Sequence, residues 1–282
     1  MTGPALSSTP GEAAGHPRIG NLPQRLLTAA VGIPVIVAAV WAGGWWLTAV
    51  VAAAAGIAVL EVQCARHHLG SPAALLAGGL AALLPVSAKL GFSDAAWAFA
   101  LVAALPLAAV AVARDPREGV TDWLWAAGPV LYVGWLAAHF VLLRGMPDGR
   151  EWVLTAVLTV WITDTGAYFI GRPLGRHKLA PRISPGKTWE GAAGGQVAGF
   201  AAVAGLVAAF GLDLGAAPVV ALGLLLPAAA QIGDLAESAV KRGLGIKDSS
   251  GLVPGHGGVL DRLDSLLFAA PVLYWYLRWL VQ

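Results

Sequence analysis

The sequence predicts an all-α, polytopic integral membrane protein with about nine transmembrane helices and a cytoplasmic N-terminus. Three observations carry that prediction. First, only 12% of the 282 residues are charged and 57% are hydrophobic, with a mean hydropathy of +0.71, whereas a soluble domain carries about 25% charged residues. The 18 basic and 16 acidic side chains cannot give a chain of this length a polar skin, so most of it is solvated by lipid. Second, nine stretches approach the roughly 20 apolar residues that a bilayer crossing needs. Third, lysine and arginine are distributed unevenly between the two sides that those stretches define. The same composition excludes a disordered chain, and a net charge of +2 is too weak to call for nucleic acid.

Residues 1–24, rich in Pro, Gly, Ser and Thr, read as a disordered cytoplasmic lead. The stretch 26–44 follows Arg25 and could pass for a signal peptide, but its length and the polar lead before it favour an uncleaved helix. After Gly43-Gly44 come apolar stretches at 45–65, 72–88, 94–113 and 121–143, so residues 25–150 form a scaffold of five spans. Cys64, the single cysteine, reads there as a small buried hydrophobe, His67-His68 as a loop pair and His139 as a helix-packing residue. The remaining spans, 152–171, 191–211, 216–240 and 263–281, belong to a second unit over residues 151–282. Gly191, Gly195 and Gly199 have the spacing that lets membrane helices approach closely. Most tryptophans, among them Trp41, Trp45, Trp46, Trp189 and Trp279, fall near span ends, where indole favours the interface.

Nine spans put the termini on opposite sides. Fourteen Lys/Arg then share the N-terminal side and four (Lys89, Arg144, Arg150 and Arg278) the other, as expected when the N-terminal side is cytoplasmic. The expected location is the plasma membrane, with the charged loops facing the cytoplasm.

Charge is scarce, so its position is informative. Segments 172–190 and 234–264 hold 15 of the charged residues, and both lie on the cytoplasmic side. Asp164, Asp234 and Glu237 fall within spans, where a carboxylate costs about 2.5–3.5 kcal/mol on insertion scales and marks a functional site by default. Asp234, Glu237, Ser238 and Lys241 are spaced to share one helix face, and Asp261 and Asp264 are likewise three apart. Between these groups runs a glycine-rich loop, 243–258, whose backbone N–H groups can approach a phosphate. Carboxylates that hold Mg²⁺ and bases that neutralise phosphate suit phosphoryl or nucleotidyl transfer. Gly186-Lys187-Thr188 resembles the end of a P-loop, but position 181 is Pro, not Gly, and no strand is expected before it, so a Walker A motif is rejected.

The run from Ser238 through Lys241-Arg242, Lys247-Asp248, His256 and Asp261-Arg262 to Asp264 closely resembles the signature of the CDP-diacylglycerol synthase (phosphatidate cytidylyltransferase) family. The block from Asp164 through Ser184-Pro-Gly-Lys-Thr-Trp-Glu-Gly191 resembles that family too, and Val253 replaces its usual Ile or Leu. The resemblance covers roughly residues 160–270. It implies transfer of CMP from CTP to phosphatidate, giving CDP-diacylglycerol and pyrophosphate in phospholipid biosynthesis, with Mg²⁺ as cofactor and a homodimer as the assembly. It further implies Asp234 and Asp261 as metal ligands with Asp264 close by, and Lys241, Arg242, Lys247 and Arg262 around the phosphates; Ser238, Asp248 and His256 complete the catalytic set. Ser184, Lys187 and Thr188, together with Asp164, form the group expected at a substrate phosphate. The alternatives are another membrane enzyme that uses CTP, such as a polyprenol kinase, and a multi-span transporter.

Overall fold

The computed structural model describes residues 22–66, 72–92, 116–253, 255 and 257–281. The predicted span at 94–113, His67-His68, His256 and nearly all of the N-terminal lead lie outside the described residues. The elements in chain order are α1 (Leu22–Ala42), α2 (Gly44–Arg66), α3 (Pro72–Lys89), α4 (Pro116–Pro129), a π-helical segment (Val130–Trp135), α5 (Leu136–Arg144) and α6 (Gly149–Leu174). Then follow β1 (Lys178–Ala180), β2 (Ser184–Thr188), α7 (Trp189–Ala209), α8 (Ala216–Gly243), α9 (Leu260–Tyr276) and a last π-helical turn (Leu277–Val281).

Among the described residues, five helices are long and apolar enough to cross a membrane: Gly44–Ala65, Trp123–Arg144, Gly149–Leu174, Trp189–Ala209 and Ala216–Gly243. Leu26–Ala42 and Ala73–Lys89 are shorter apolar helices. The chain is a multi-pass, mostly helical membrane protein. Its departure from an all-α architecture is the antiparallel hairpin β1–β2, with Lys178 opposite Thr188 and Ala180 opposite Ser184. Gly186-Lys187-Thr188 therefore lies on a strand, which periodicity could not reveal in so short a polar segment.

Local chemistry explains the boundaries. Gly43 and Gly44 both have left-handed backbone (φ +62° and +51°), which separates α1 from α2. Pro129 supplies no N–H, and directly after it the predicted span 121–143 widens into π-helix before resuming as α5. The predicted glycine face is an interface. A Cβ at Gly195 would stand 2.9 Å from Thr163 O, and one at Gly191 3.0 Å from Ala167 O, so α7 lies backbone to backbone on α6.

Helix α9 lies between two cores. Leu266, Ala269, Ala270 and Leu273 pack with residues of α6, α7 and α8, while Leu260 and Leu267 pack with α2, α3 and α5. His139 is a packing residue as expected: its Nδ1 is 2.9 Å from Trp135 O and its Nε2 accepts from Trp275 Nε1 at 3.1 Å. At one end of the bundle Arg144 Nε donates to Val40 O at 3.0 Å, and the Arg150 guanidinium lies 4.4 Å from the Trp41 ring centroid. Helix α6 runs from that end for 26 residues, roughly 39 Å at 1.5 Å per residue, to the hairpin at the other.

Candidate active site

The site is built where α6, the hairpin, α7 and α8 meet the start of α9. Thr188 caps α7, its Oγ1 accepting from Gly191 N at 3.1 Å. Glu190 fixes the root of the hairpin by accepting from Arg176 N (3.1 Å), His177 N (3.2 Å) and His177 Nδ1 (2.6 Å). These contacts place Lys187 at 2.6 Å from Asp234 Oδ2 on α8. A cleft of about 500 Å³ opens beside this pair, lined by Asp164, Tyr168, Arg172, Lys187, Gln231 and Asp234 among others.

The predicted stripe on α8 forms. Ser238 Oγ faces Asp234 Oδ1 at 3.5 Å, and Lys241 Nζ is 2.7 Å from Glu237 Oε2. Lys241 also reaches across to Asp261 Oδ1 at 2.6 Å. Arg242 ties the hairpin to the following loop, donating to Ile183 O (3.2 Å) and Ile246 O (2.9 Å). Lys247 and Asp248 are exposed on the loop after α8, and Arg262 is exposed within the field of Asp164 and Asp264.

Two acidic groups result, not one. Asp164, Asp234 and Asp264 lie within one another's electrostatic field, with Lys187 and Arg262 as nearby opposing charges. Asp261 belongs to a separate network. Its Oδ2 accepts from Ser249 N (3.0 Å) and Gly258 N (2.7 Å) and lies 3.1 Å from Ser249 Oγ, while Oδ1 holds Lys241. Burial alone would raise its pKa, but these donors prevail and hold the carboxyl at about 2. As placed, Asp261 is held on both oxygens by protein donors, the kind of hydrogen bonding that orients a ligating carboxylate. Among the described residues, no group of three or more His, Cys, Asp or Glu side chains is gathered to hold an ion alone. Mg²⁺ needs only one or two carboxylates when substrate phosphates supply further oxygens, and the Asp234–Asp264 pair has that chemistry.

The structure gives the other predicted groups distinct surroundings. Part of the glycine-rich loop is turned inward: the N–H groups of Ser249 and Gly258 go to Asp261, and those of Val259 and Leu260, just after the loop, go to Glu61. Thr188 lines the cleft beside Lys187 while its Oγ1 caps α7, and Ser184 pairs within the hairpin, outside the cleft lining. Asp164 faces the other carboxylates, an arrangement suited to cations rather than to direct phosphate binding. Sequence reasoning missed Tyr168, Arg172 and Gln231 in the cleft, Glu190 under the hairpin, and Glu61 on α2. Glu61 alone had left a signal, as an acid inside an apolar span.

Confronted carboxylates flanked by lysine and arginine, beside a cleft in a helical membrane bundle, define a membrane enzyme acting on phosphate esters. Comparison with known proteins makes this specific. Residues 23–280 match the model of the cytidylyltransferase family. A phosphatidate cytidylyltransferase of Brucella suis biovar 1 (strain 1330) is 41% identical over 274 residues, covering 91% of this chain and 93% of the relative. One from Staphylococcus saprophyticus subsp. saprophyticus is 34% identical over 254 residues (88% and 96%), and one from Bacillus subtilis (strain 168) 43% over 150 residues (52% and 55%). The chain belongs to the cytidylyltransferase family.

Proposed function

We propose that the cleft beside Lys187 and the ring of charges around Asp234, Asp264 and Arg262 are the two halves of one substrate site. The reaction is that of a phosphatidate cytidylyltransferase: CMP passes from CTP to phosphatidate, giving CDP-diacylglycerol and pyrophosphate. The observation that carries the site assignment is the Lys187–Asp234 pair at 2.6 Å, which joins the basic hairpin to the acidic face of α8.

Phosphatidate brings its own anionic oxygen, so attack on the α-phosphorus of CTP needs no strong general base. A new P–O bond forms at the α-phosphorus as the α–β bridging bond breaks, and the electron pair leaves with pyrophosphate. The protein's task is to bring two anions together in line. Lys187 and Arg172 line the cleft and neutralise a lipid phosphate there; the exposed Arg262 and Lys247 are the cations left to meet the nucleotide's phosphates. Mg²⁺ held by Asp234 and Asp264 would screen the triphosphate and stabilise the leaving pyrophosphate. Tyr168, Phe169 and Trp189 are exposed beside the cleft at 55%, 65% and 62%, an apolar flank suited to a lipid entering from the bilayer.

The same reading comprises nine spans, a cytoplasmic N-terminus, a site facing the cytoplasm of the plasma membrane, and a homodimer. The Lys/Arg asymmetry supports the orientation, and so does the position of Arg144 and Arg150 at the end opposite the hairpin.

The test is an assay of the purified protein with CTP, phosphatidate and Mg²⁺. CDP-lipid and pyrophosphate are expected. CDP with a phosphorylated lipid would instead indicate a kinase, and flux without CTP turnover a transporter. Asp234→Asn is expected to insert normally and lose activity; full activity would remove Asp234 from the site.

A further inference from the structure

Glu61 lies on α2, in the half of the chain that otherwise supplies apolar packing, and is only 6% exposed. Its carboxylate meets four donors, two on each oxygen. Oε1 accepts from Ser250 Oγ (2.6 Å) and Val259 N (2.9 Å), and Oε2 from Ser249 Oγ (2.9 Å) and Leu260 N (3.0 Å). All four belong to the loop between α8 and α9 or to the start of α9. Helix α9 begins after Val259, which has no side-chain cap of its own, and the N–H groups of Val259 and Leu260 are satisfied from α2 instead. A Cβ at Gly258 would collide with Ser249 Oγ and Glu61, so the glycine there lets the loop close over the carboxylate.

That turn carries Asp261, Arg262 and Asp264. Ser249 Oγ also lies 3.1 Å from Asp261 Oδ2, so its hydroxyl stands between the two carboxylates and extends the connection to Lys241 and Glu237. We infer that Glu61 is a positioning residue for the transfer reaction: it acts from the scaffold half by clamping the 249–260 loop, which sets the start of α9 against α8. The inference rests on the cytidylyltransferase reading of the site. A displacement of about 1 Å in such a constellation can cost 100-fold in rate.

The experiment compares full-length Glu61→Gln, Glu61→Asp and Gln63→Ala with the parent enzyme in detergent, using CTP, phosphatidate and Mg²⁺. Rates are expressed per folded molecule. A glutamine offers one acceptor oxygen and turns an NH₂ group toward two donors, so the clamp is broken while the volume is kept. Glu61→Gln is expected to lower kcat about tenfold or more, with KM for both substrates within about threefold, and Glu61→Asp is expected to recover part of the loss. Gln63, on the same helix, donates to Trp125 O at 2.7 Å and does not touch the loop. Gln63→Ala is expected to lower Tm while keeping kcat. If Glu61→Gln does not fold, the double variant Ser249→Ala, Ser250→Ala keeps the carboxylate, removes two of its donors, and should show the same kcat loss. Parental kcat in Glu61→Gln, or in the double variant when that is the one that folds, overturns the proposal, as does an equal kcat loss in Gln63→Ala. Absence of CDP-lipid from the parent enzyme itself would overturn the underlying reading instead.

Discussion

Lys241 is the one cation among the described residues within ion-pair distance of Glu237, and the consequence of removing it can be estimated from the structure. Its ammonium lies 2.7 Å from Glu237 and 2.6 Å from Asp261, with side-chain exposures of 14%, 0% and 6%. The two acids differ in what else holds them. Asp261 retains the N–H groups of Ser249 and Gly258 after the lysine is gone. Glu237 has no backbone donor, and beyond the lysine only the neighbouring Asp261 carboxyl meets it. Lys241→Met therefore leaves one uncompensated buried carboxylate rather than two, and breaking a buried pair in this way costs about 3–5 kcal/mol. Because a pair can often be replaced by apolar side chains at little cost, Lys241→Met with Glu237→Leu should regain most of that loss. Lys241→Met with Asp261→Asn should regain less, because the Glu237 carboxyl stays buried without its cation. The assay is chemical or thermal unfolding in a fixed detergent, followed by an intrinsic probe such as tryptophan fluorescence. The reasoning fails if Lys241→Met unfolds within about 1 kcal/mol of the parent, the level of an exposed pair, or if the Asp261 double variant recovers as well as the Glu237 one.

Two further outcomes separate structural from chemical roles. Thr188→Ala removes the α7 cap and should cost about 1 kcal/mol in the same unfolding measurement while leaving the rate per folded molecule near the parental value; a selective rise in KM for either substrate would restore Thr188 to phosphate binding. Gly195→Val should cost at least about 1–3 kcal/mol and lower the yield of folded protein, because the new side chain meets Thr163 O and Ala167 across the α6–α7 contact. Parental stability in that variant would mean that the two helices are not held at backbone distance.

What could be read from sequence was decided by how local the signal was. Apolar length located most helices, and the Gly191–Gly195–Gly199 spacing anticipated the α6–α7 interface, because both are patterns within one segment. The stripe of Asp234, Ser238 and Lys241 was equally legible, since helical spacing alone places those residues on one face. The hairpin was not, because a strand of five residues, Ser-Pro-Gly-Lys-Thr, has no distinctive period. Spacing also could not assign the two carboxylates of the last helix. Asp261 and Asp264 are one turn apart and were read together, yet Asp261 turns toward Ser249 and Lys241 while Asp264 faces Asp234 and Asp164. Which neighbour a carboxylate meets depends on where α8 and the loop stand in space.

Glu61 shows the same limit over the longest distance, being 198 residues from Val259 and 199 from Leu260. An acid buried in an apolar span needs donors, and α2, whose own N–H groups are used within the helix, has none to spare. A helix that begins at an uncapped valine needs acceptors. Each half of the chain therefore carries a local deficit that it cannot satisfy, and contact between Glu61 and the first turn of α9 removes both. The donors that meet Glu61 continue through Ser249 to Asp261 and then to Lys241, so the polar groups that the apolar scaffold tolerates are continuous with those around the substrate site. In a membrane bundle, where apolar packing alone gives little directional preference, this buried polar path supplies a physical reason for the two halves to dock in one register.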